Sequence, residues 1–191
     1  MRGLQAAGGT AITQPTPQAK PAPRFWLVVV IIGVLGLTLD QVTKALAVAY
    51  LDPTAPIPLL GGVVTLQLIR NPGAAFSMGE NLTMVFSLVS LAALIAVFVW
   101  LVPRLRHRGW AILAGLLVAG ISGNLTDRIF RPPSPFLGHV VDFIQLPSFA
   151  IVNVADIFVT SAAVLVVWFG LIKQIGPDGS SLKDARRGDD D

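Results

Sequence analysis

The chain contains no cysteine, which excludes disulfides, thiolate metal sites and a cysteine nucleophile. Charge is scarce as well. Asp, Glu, Lys and Arg make up 13% of the 191 residues, where soluble domains carry about a quarter. There are two histidines, His107 and His139, and neither lies in a long apolar run, so clusters of metal-ligand type are lacking and no metal or cofactor is expected. What the chain has instead is apolar surface: 53% of residues are hydrophobic, gathered in four blocks between segments containing Pro, Gly and Arg. A bilayer core about 30 Å thick needs roughly 20 mostly apolar residues in a helix. The four blocks approach or exceed that length, so the sequence predicts an all-α membrane protein of four transmembrane helices with a small extracytoplasmic β segment.

Residues 1–24 are polar, rich in Ala, Gln, Pro and Thr, and lack hydrophobic periodicity, as a disordered tail does. The transmembrane domain is expected over 25–172, with spans at about 25–50, 82–102, 110–128 and 153–172. The first block has a rival reading as a secretory signal peptide with Ala47-Val48-Ala49 as its cleavage site, but Asp40, Gln41 and Lys44 sit badly between an apolar core and such a site. The loop 51–81 holds an alternating run, Val63 to Ile69, that predicts a strand after Pro53, Pro56, Pro58 and the Gly61-Gly62 turn. The loop 129–152 reads as irregular, and 173–191 as a charged tail.

Lys and Arg set the orientation. Ten of the 14 lie in the two tails and the short Pro103–Gly109 loop, whereas Arg70, Arg128 and Arg131 lie in or at the edge of the two long loops, and Lys44 lies within a span. Both termini and the short loop are therefore expected in the cytoplasm. Trp26, Trp100, Trp110 and Trp168 all fall near the cytoplasmic ends of spans, where indoles favour the interface. The basic balance, net +3, reads as an orientation signal and not as a nucleic-acid footprint.

Ionisable groups are costly in hydrocarbon, so those inside spans are functional candidates. Asp40 and Lys44 are four apart in the favourable order for a helical ion pair, either a structural bridge or a participant in chemistry. The pattern Asn-x-x-Asp occurs twice, as Asn124 to Asp127 and Asn153 to Asp156, and both copies fall at the outer ends of spans. At that spacing each amide can lie over its own carboxylate. Asn153 and Asp156 also fit an N-cap and third helical residue. Asp127 at a helix C-terminus and Asp156 at an N-terminus point to a dyad sharing one proton, with Asp127 expected to carry it. One ionised carboxylate would take a proton from water while its neutral partner donates to the carbonyl under attack. Two decoys lose ground. Gly120-Ile121-Ser122-Gly123 matches an intramembrane serine protease string but lacks a histidine base in any span, and a Ser122–Lys44 dyad is no better supported. Small residues for helix packing explain the string more simply. A proton relay through Asp40, Asp127 and Asp156 in a transporter is disfavoured because the acids sit near one face, and a scaffold with buried polar glue is the other alternative.

Five segments in order carry a resemblance: Asp40-Gln41-Val42-Thr43-Lys44, Asn71-Pro72-Gly73-Ala74-Ala75-Phe76, Gly123-Asn124-Leu125-Thr126-Asp127-Arg128, Val140-Val141-Asp142-Phe143 and Asn153-Val154-Ala155-Asp156. From about Phe25 to Ile172 the chain resembles the lipoprotein signal peptidases (signal peptidase II), membrane aspartic peptidases of bacteria. The resemblance implies a catalytic dyad of Asp127 and Asp156. It implies supporting or substrate-binding roles for Asp40, Lys44, Asn71, Gly73, Asn124, Arg128, Asp142, Asn153 and Ala155, with Arg128 toward lipid head groups and Asn71 toward the substrate backbone. It further implies a diacylglyceryl-modified prolipoprotein substrate cut just before the lipidated cysteine, inhibition by globomycin-type cyclic peptides, contact with membrane lipid, and a site facing outward from the bacterial plasma membrane. Val152, where Phe is usual, and Pro72 depart from the pattern. The strand region is expected to form a platform, with Gly73 to Phe76 as its apolar lip, or merely to cap the bundle.

Overall fold

The computed structural model of the protein describes residues 24–73 and 81–181. Four helices are long and apolar enough to cross a membrane: Phe25–Tyr50, Leu82–Arg104, Arg108–Phe130 and Val154–Ile172. They are built from α1 (Phe25–Tyr50), α2 (Asn81–Ala96), α3 (Arg108–Phe130) and α4 (Val154–Val167). α2 and α4 each run on through one wider π-type turn, Val97–Leu101 and Trp168–Ile172. The third span begins and ends two residues beyond the 110–128 stretch expected from the sequence.

α3 packs against each of the other three helices. Half of its most apolar window (50%) is buried inside the protein, against 11% for the second and fourth spans, and its mean hydropathy is the lowest of the four. A helix walled in by protein does not need a lipid-soluble surface, so it can carry polar groups provided each finds a partner. Small residues allow the close approach. A Cβ added at Gly36 of α1 would lie 2.5 Å from the Ala119 Cβ of α3, and one at Gly120 of α3 would lie 2.5 Å from the Ala155 carbonyl oxygen of α4. The Gly120–Gly123 string is thus a packing surface: Gly120 meets α4, and a Cβ at Gly123 would strike the Asp40 carboxylate.

A four-stranded antiparallel sheet covers one end of the bundle, ordered β1 (Ile57–Leu59), β2 (Val64–Asn71), β3 (Val140–Gln145), β4 (Ile151–Val152). Ala47 of α1 clusters with Leu68 of β2 and with Val141 and Phe143 of β3, which fastens the sheet to the bundle. β2 answers to the predicted strand and extends to Asn71. β3 lies in the loop that reads as irregular. Val140, Val141, Asp142 and Phe143 are all buried, so the strand shows no polar–apolar alternation, the signal by which a half-exposed strand is recognised. At the opposite end, the first part of the expected C-terminal tail is docked: Pro177 accepts from the Arg106 N–H at 2.8 Å and Ile175 from the Trp110 indole at 2.9 Å.

The tight α1–α3 crossing has a direct consequence. Gly36→Ala is expected to lower stability by about 1–3 kcal/mol, as overpacking does. Gly170→Ala, in a helical turn where the added Cβ meets nothing within 4 Å, should not destabilise and should raise stability by up to about 1 kcal/mol. Thermal unfolding of the detergent-solubilised protein measures both.

Candidate active site

The polar residues of the helices converge where the sheet meets the bundle. At the centre is Lys44, fully buried on α1. An ammonium has three donors, and all three are used: Asp40 Oδ2 at 2.9 Å, Asp127 Oδ2 at 3.0 Å and Asn124 Oδ1 at 3.0 Å. Asp40, equally buried, turns its other oxygen to the Ala155 backbone N–H at 2.9 Å, which ties α1 to the first turn of α4. Through these contacts Asp40 and Lys44 join α1 to α3 and to the first turn of α4.

Asp127 is fully buried and receives four donors. Arg131 Nε at 2.6 Å and Gln41 Nε2 at 3.3 Å reach Oδ1, while Lys44 Nζ and the Val141 N–H, both at 3.0 Å, reach Oδ2. All four contacts to Asp127 come from donors, which argues against the expectation that this residue carries the shared proton. The helix-dipole argument behind it concerns about 0.3–1 kcal/mol. Two cations in hydrogen-bond contact outweigh that. Among the described residues, Asp127 and Asp156 also have no hydrogen-bonding partner in common.

Asp142 and Asp156 do share one. Asn153 donates from Nδ2 to Asp142 Oδ1 at 2.6 Å and from its backbone N–H to Asp156 Oδ2 at 3.1 Å. The second contact is half of a capping box, completed by the Asp156 N–H donating to Asn153 Oδ1 at 3.0 Å. Asn124 donates to Asp156 Oδ1 at 2.8 Å, so it serves the acid of the neighbouring helix and not Asp127 of its own. Asn71, the last residue of β2, donates to Asp142 Oδ2 at 2.9 Å, and its Oδ1 accepts from the Gly73 N–H at 2.8 Å. Gly73 has φ +98°, a conformation that favours glycine. Burial raises the Asp142 pKa to about 6, and the Asp156 charge pushes the same way against the Asn71 and Asn153 amides.

Arg128 lies with Cζ 5.6 Å from the Phe86 ring centroid of α2. Its Nε and Nη1 are buried and have no hydrogen-bond partner among the described residues. Of the predicted lip, Gly73 is described, and Ala74 to Phe76 lie outside the described residues. Sequence reasoning left Gln41 and Arg131 out of the site. Gln41 stood inside a quoted segment, and its Nε2 also lies 3.1 Å from both Asp40 Oδ2 and the Gly123 carbonyl. Arg131 carried no signal beyond being four residues after Asp127 at a helix end.

Buried acids set at one end of a bundle of membrane helices suit a membrane-embedded aspartic peptidase, and that is the class to which the family comparison assigns the chain. The profile described as signal peptidase (SPase) II matches residues 31–172, and the chain belongs to that family. It is 41% identical over 179 residues to the lipoprotein signal peptidase of Leifsonia xyli subsp. xyli, covering 93% of this chain and 82% of that one. With the lipoprotein signal peptidase of Rhodococcus jostii it shares 43% identity over 170 residues, covering 87% and 84%. A solved structure titled as a bacterial membrane enzyme superposes with a TM-score of 0.70 at 25% identity, covering 80% of this chain and 98% of that one.

Asp142 gives the protein a pH signature. Its folded-state pKa lies above the ordinary 3.8, so between the two values the folded protein holds a proton that the unfolded chain has released. The stability contributed there is full below about pH 4 and is lost as pH rises through about 6. Melting temperature should fall across that window, and Asp142→Asn should flatten the fall. A carboxyl-stretch infrared band titrating near pH 6 should vanish in the same variant.

Proposed function

We propose that the protein removes signal peptides from diacylglyceryl-modified prolipoproteins, cutting just before the lipid-bearing cysteine, with Asp142 and Asp156 as its catalytic dyad. Membership of the signal peptidase II family supports signal-peptide cleavage from lipoproteins, and the curated relatives bear that name. The observation that carries the dyad is Asn153, a single residue bonded to both carboxylates. This assignment moves the role that the sequence suggested for Asp127 onto Asp142.

In this scheme the ionised Asp156 removes a proton from a water molecule as its oxygen attacks the scissile carbonyl carbon. Protonated Asp142 donates to the carbonyl oxygen, giving a neutral gem-diol. The tetrahedral species then collapses: Asp142 takes back a hydroxyl proton as the C=O re-forms, the C–N bond breaks, and Asp156 passes the proton it took from water to the departing amine of the lipidated cysteine. The raised pKa of Asp142 suits it to the acid role. Asn124 and the Asn153 N–H orient Asp156 as base. The Arg128 nitrogens without a partner among the described residues would supply donors for acceptors that a lipid head group or the substrate's diacylglyceryl ester brings. Asn71, at the end of β2, stands where an extended substrate backbone would run, and the same groups are those a globomycin-type cyclic peptide would occupy.

The charge distribution supports a multi-pass protein of the bacterial plasma membrane with both termini in the cytoplasm. On that orientation the sheet and the acids would lie on the outer side, where a lipidated cysteine would be presented.

The test is purified protein with a diacylated lipobox peptide beside its unlipidated counterpart. Asp142→Asn and Asp156→Asn should each lower kcat by at least about 100-fold while staying folded, and the unlipidated peptide should be a poor substrate. Asp127→Asn should instead destabilise the fold, by about 3–5 kcal/mol for a buried cation left short of its partner. An Asp142→Asn enzyme that cuts at the wild-type rate removes the dyad.

A further inference from the structure

Asp142 sits on a strand, and a strand residue is only as well placed as its backbone. Asn71 and Asn153 hold its side chain. Its main chain is held one residue earlier, where the Val141 N–H donates to Asp127 Oδ2 at 3.0 Å. Val141 is fully buried and pairs with Arg70 of β2 on the other side. The Asp127 carboxylate is therefore the link between the end of α3 and the strand that carries Asp142. Lys44 pulls on the Oδ2 side of that carboxylate, and Arg131 Nε, at 2.6 Å, fixes the Oδ1 side. A carboxylate gripped on both oxygens cannot rotate about its Cβ–Cγ bond without losing a charge-assisted hydrogen bond.

Resting on the dyad reading above, we propose that Arg131 is a positioning residue for catalysis: through Asp127 and the Val141 N–H it sets the backbone beneath Asp142. Arg131 suits the part better than its partners do. Lys44 also holds Asp40 and Asn124, so removing it dismantles several contacts at once. Arg131 makes its side-chain contact to Asp127 from the rim, with 22% of its side chain exposed. When it is lost, the buried charge of Asp127 keeps Lys44, Gln41 and the Val141 N–H. Its removal therefore loosens a geometry without stranding a charge. The segment it begins is also short of slack: the Arg131 N–H bonds to the Asp127 carbonyl at 2.9 Å, and the His139 N–H to the Pro132 carbonyl at 3.0 Å, just ahead of β3.

The experiment is steady-state cleavage of the diacylated lipobox peptide by the full chain, with amide hydrogen exchange at Val141 measured in parallel. Arg131→Gln should lower kcat roughly 10- to 100-fold, the effect of a misplaced catalytic group, with KM unchanged and faster exchange at Val141. Arg131→Lys, which restores the charge but not the Nε geometry, should be intermediate in both. Should Arg131→Gln fold poorly, Arg131→Lys still decides, because wild-type kcat and wild-type protection together overturn the proposal. A loss confined to KM overturns it as well. Asp142→Asn in the same assay separates this inference from its foundation. If Asp142→Asn is inactive and Arg131→Gln fully active, only the role of Arg131 falls; an active Asp142→Asn removes the dyad itself.

Discussion

A buried ammonium with all three donors occupied organises this protein. Lys44 lies on α1, and its partners lie on α1 and α3. Inside a bilayer an unmatched charge is far more costly than a matched one, so these side chains meet together or not at all. The ammonium therefore fixes how far α1 and α3 slide and turn against each other. Small residues at Gly36 and Gly120 let the backbones come close enough for short polar side chains to reach. Apolar length places each helix in the membrane, and the polar cluster then specifies one arrangement among the many a greasy bundle permits.

From that centre the acids divide by what surrounds them. Asp40 and Asp127 face cations and have every oxygen occupied. Asp142 and Asp156 face carboxamides, which orient a carboxyl group without neutralising it. A group that must exchange a proton during turnover belongs in the second environment, because a cation at contact distance would lock it in one state. On the dyad we propose, four acids of like chemistry serve as two kinds of part, and the distinction lies in the neighbours and not in the residue type.

Much of the architecture was legible in the sequence because its physical requirements are coarse. Four apolar runs of spanning length admit few other interpretations, and the alternation from Val63 to Ile69 marks β2. The polar residues inside spans were also visible, since they stand out against hydrocarbon. What escaped was the pairing among them. The repeated Asn-x-x-Asp string suggested that each amide served its own helix, yet Asn124 crosses to Asp156. Asp142 was named as supporting on the resemblance alone; nothing in its spacing set it beside Asp156, and β3, wholly buried from Val140 to Phe143, lacks the alternation that marks a strand. Arg131 and Gln41 had no periodicity or spacing to distinguish them; their roles exist only once α1, α3 and β3 are side by side.

Asn153 begins α4 and also grips both acids that we assign to the chemistry. Asp156 arrives with a membrane helix, whereas Asp142 arrives with a strand outside the spans. A nascent chain with its fourth helix still unthreaded would hold one of these acids without its mate, and without the amide that aligns them. On that assignment hydrolytic competence would wait for the fourth helix to insert, and a half-made copy would be inert toward its neighbours during biogenesis.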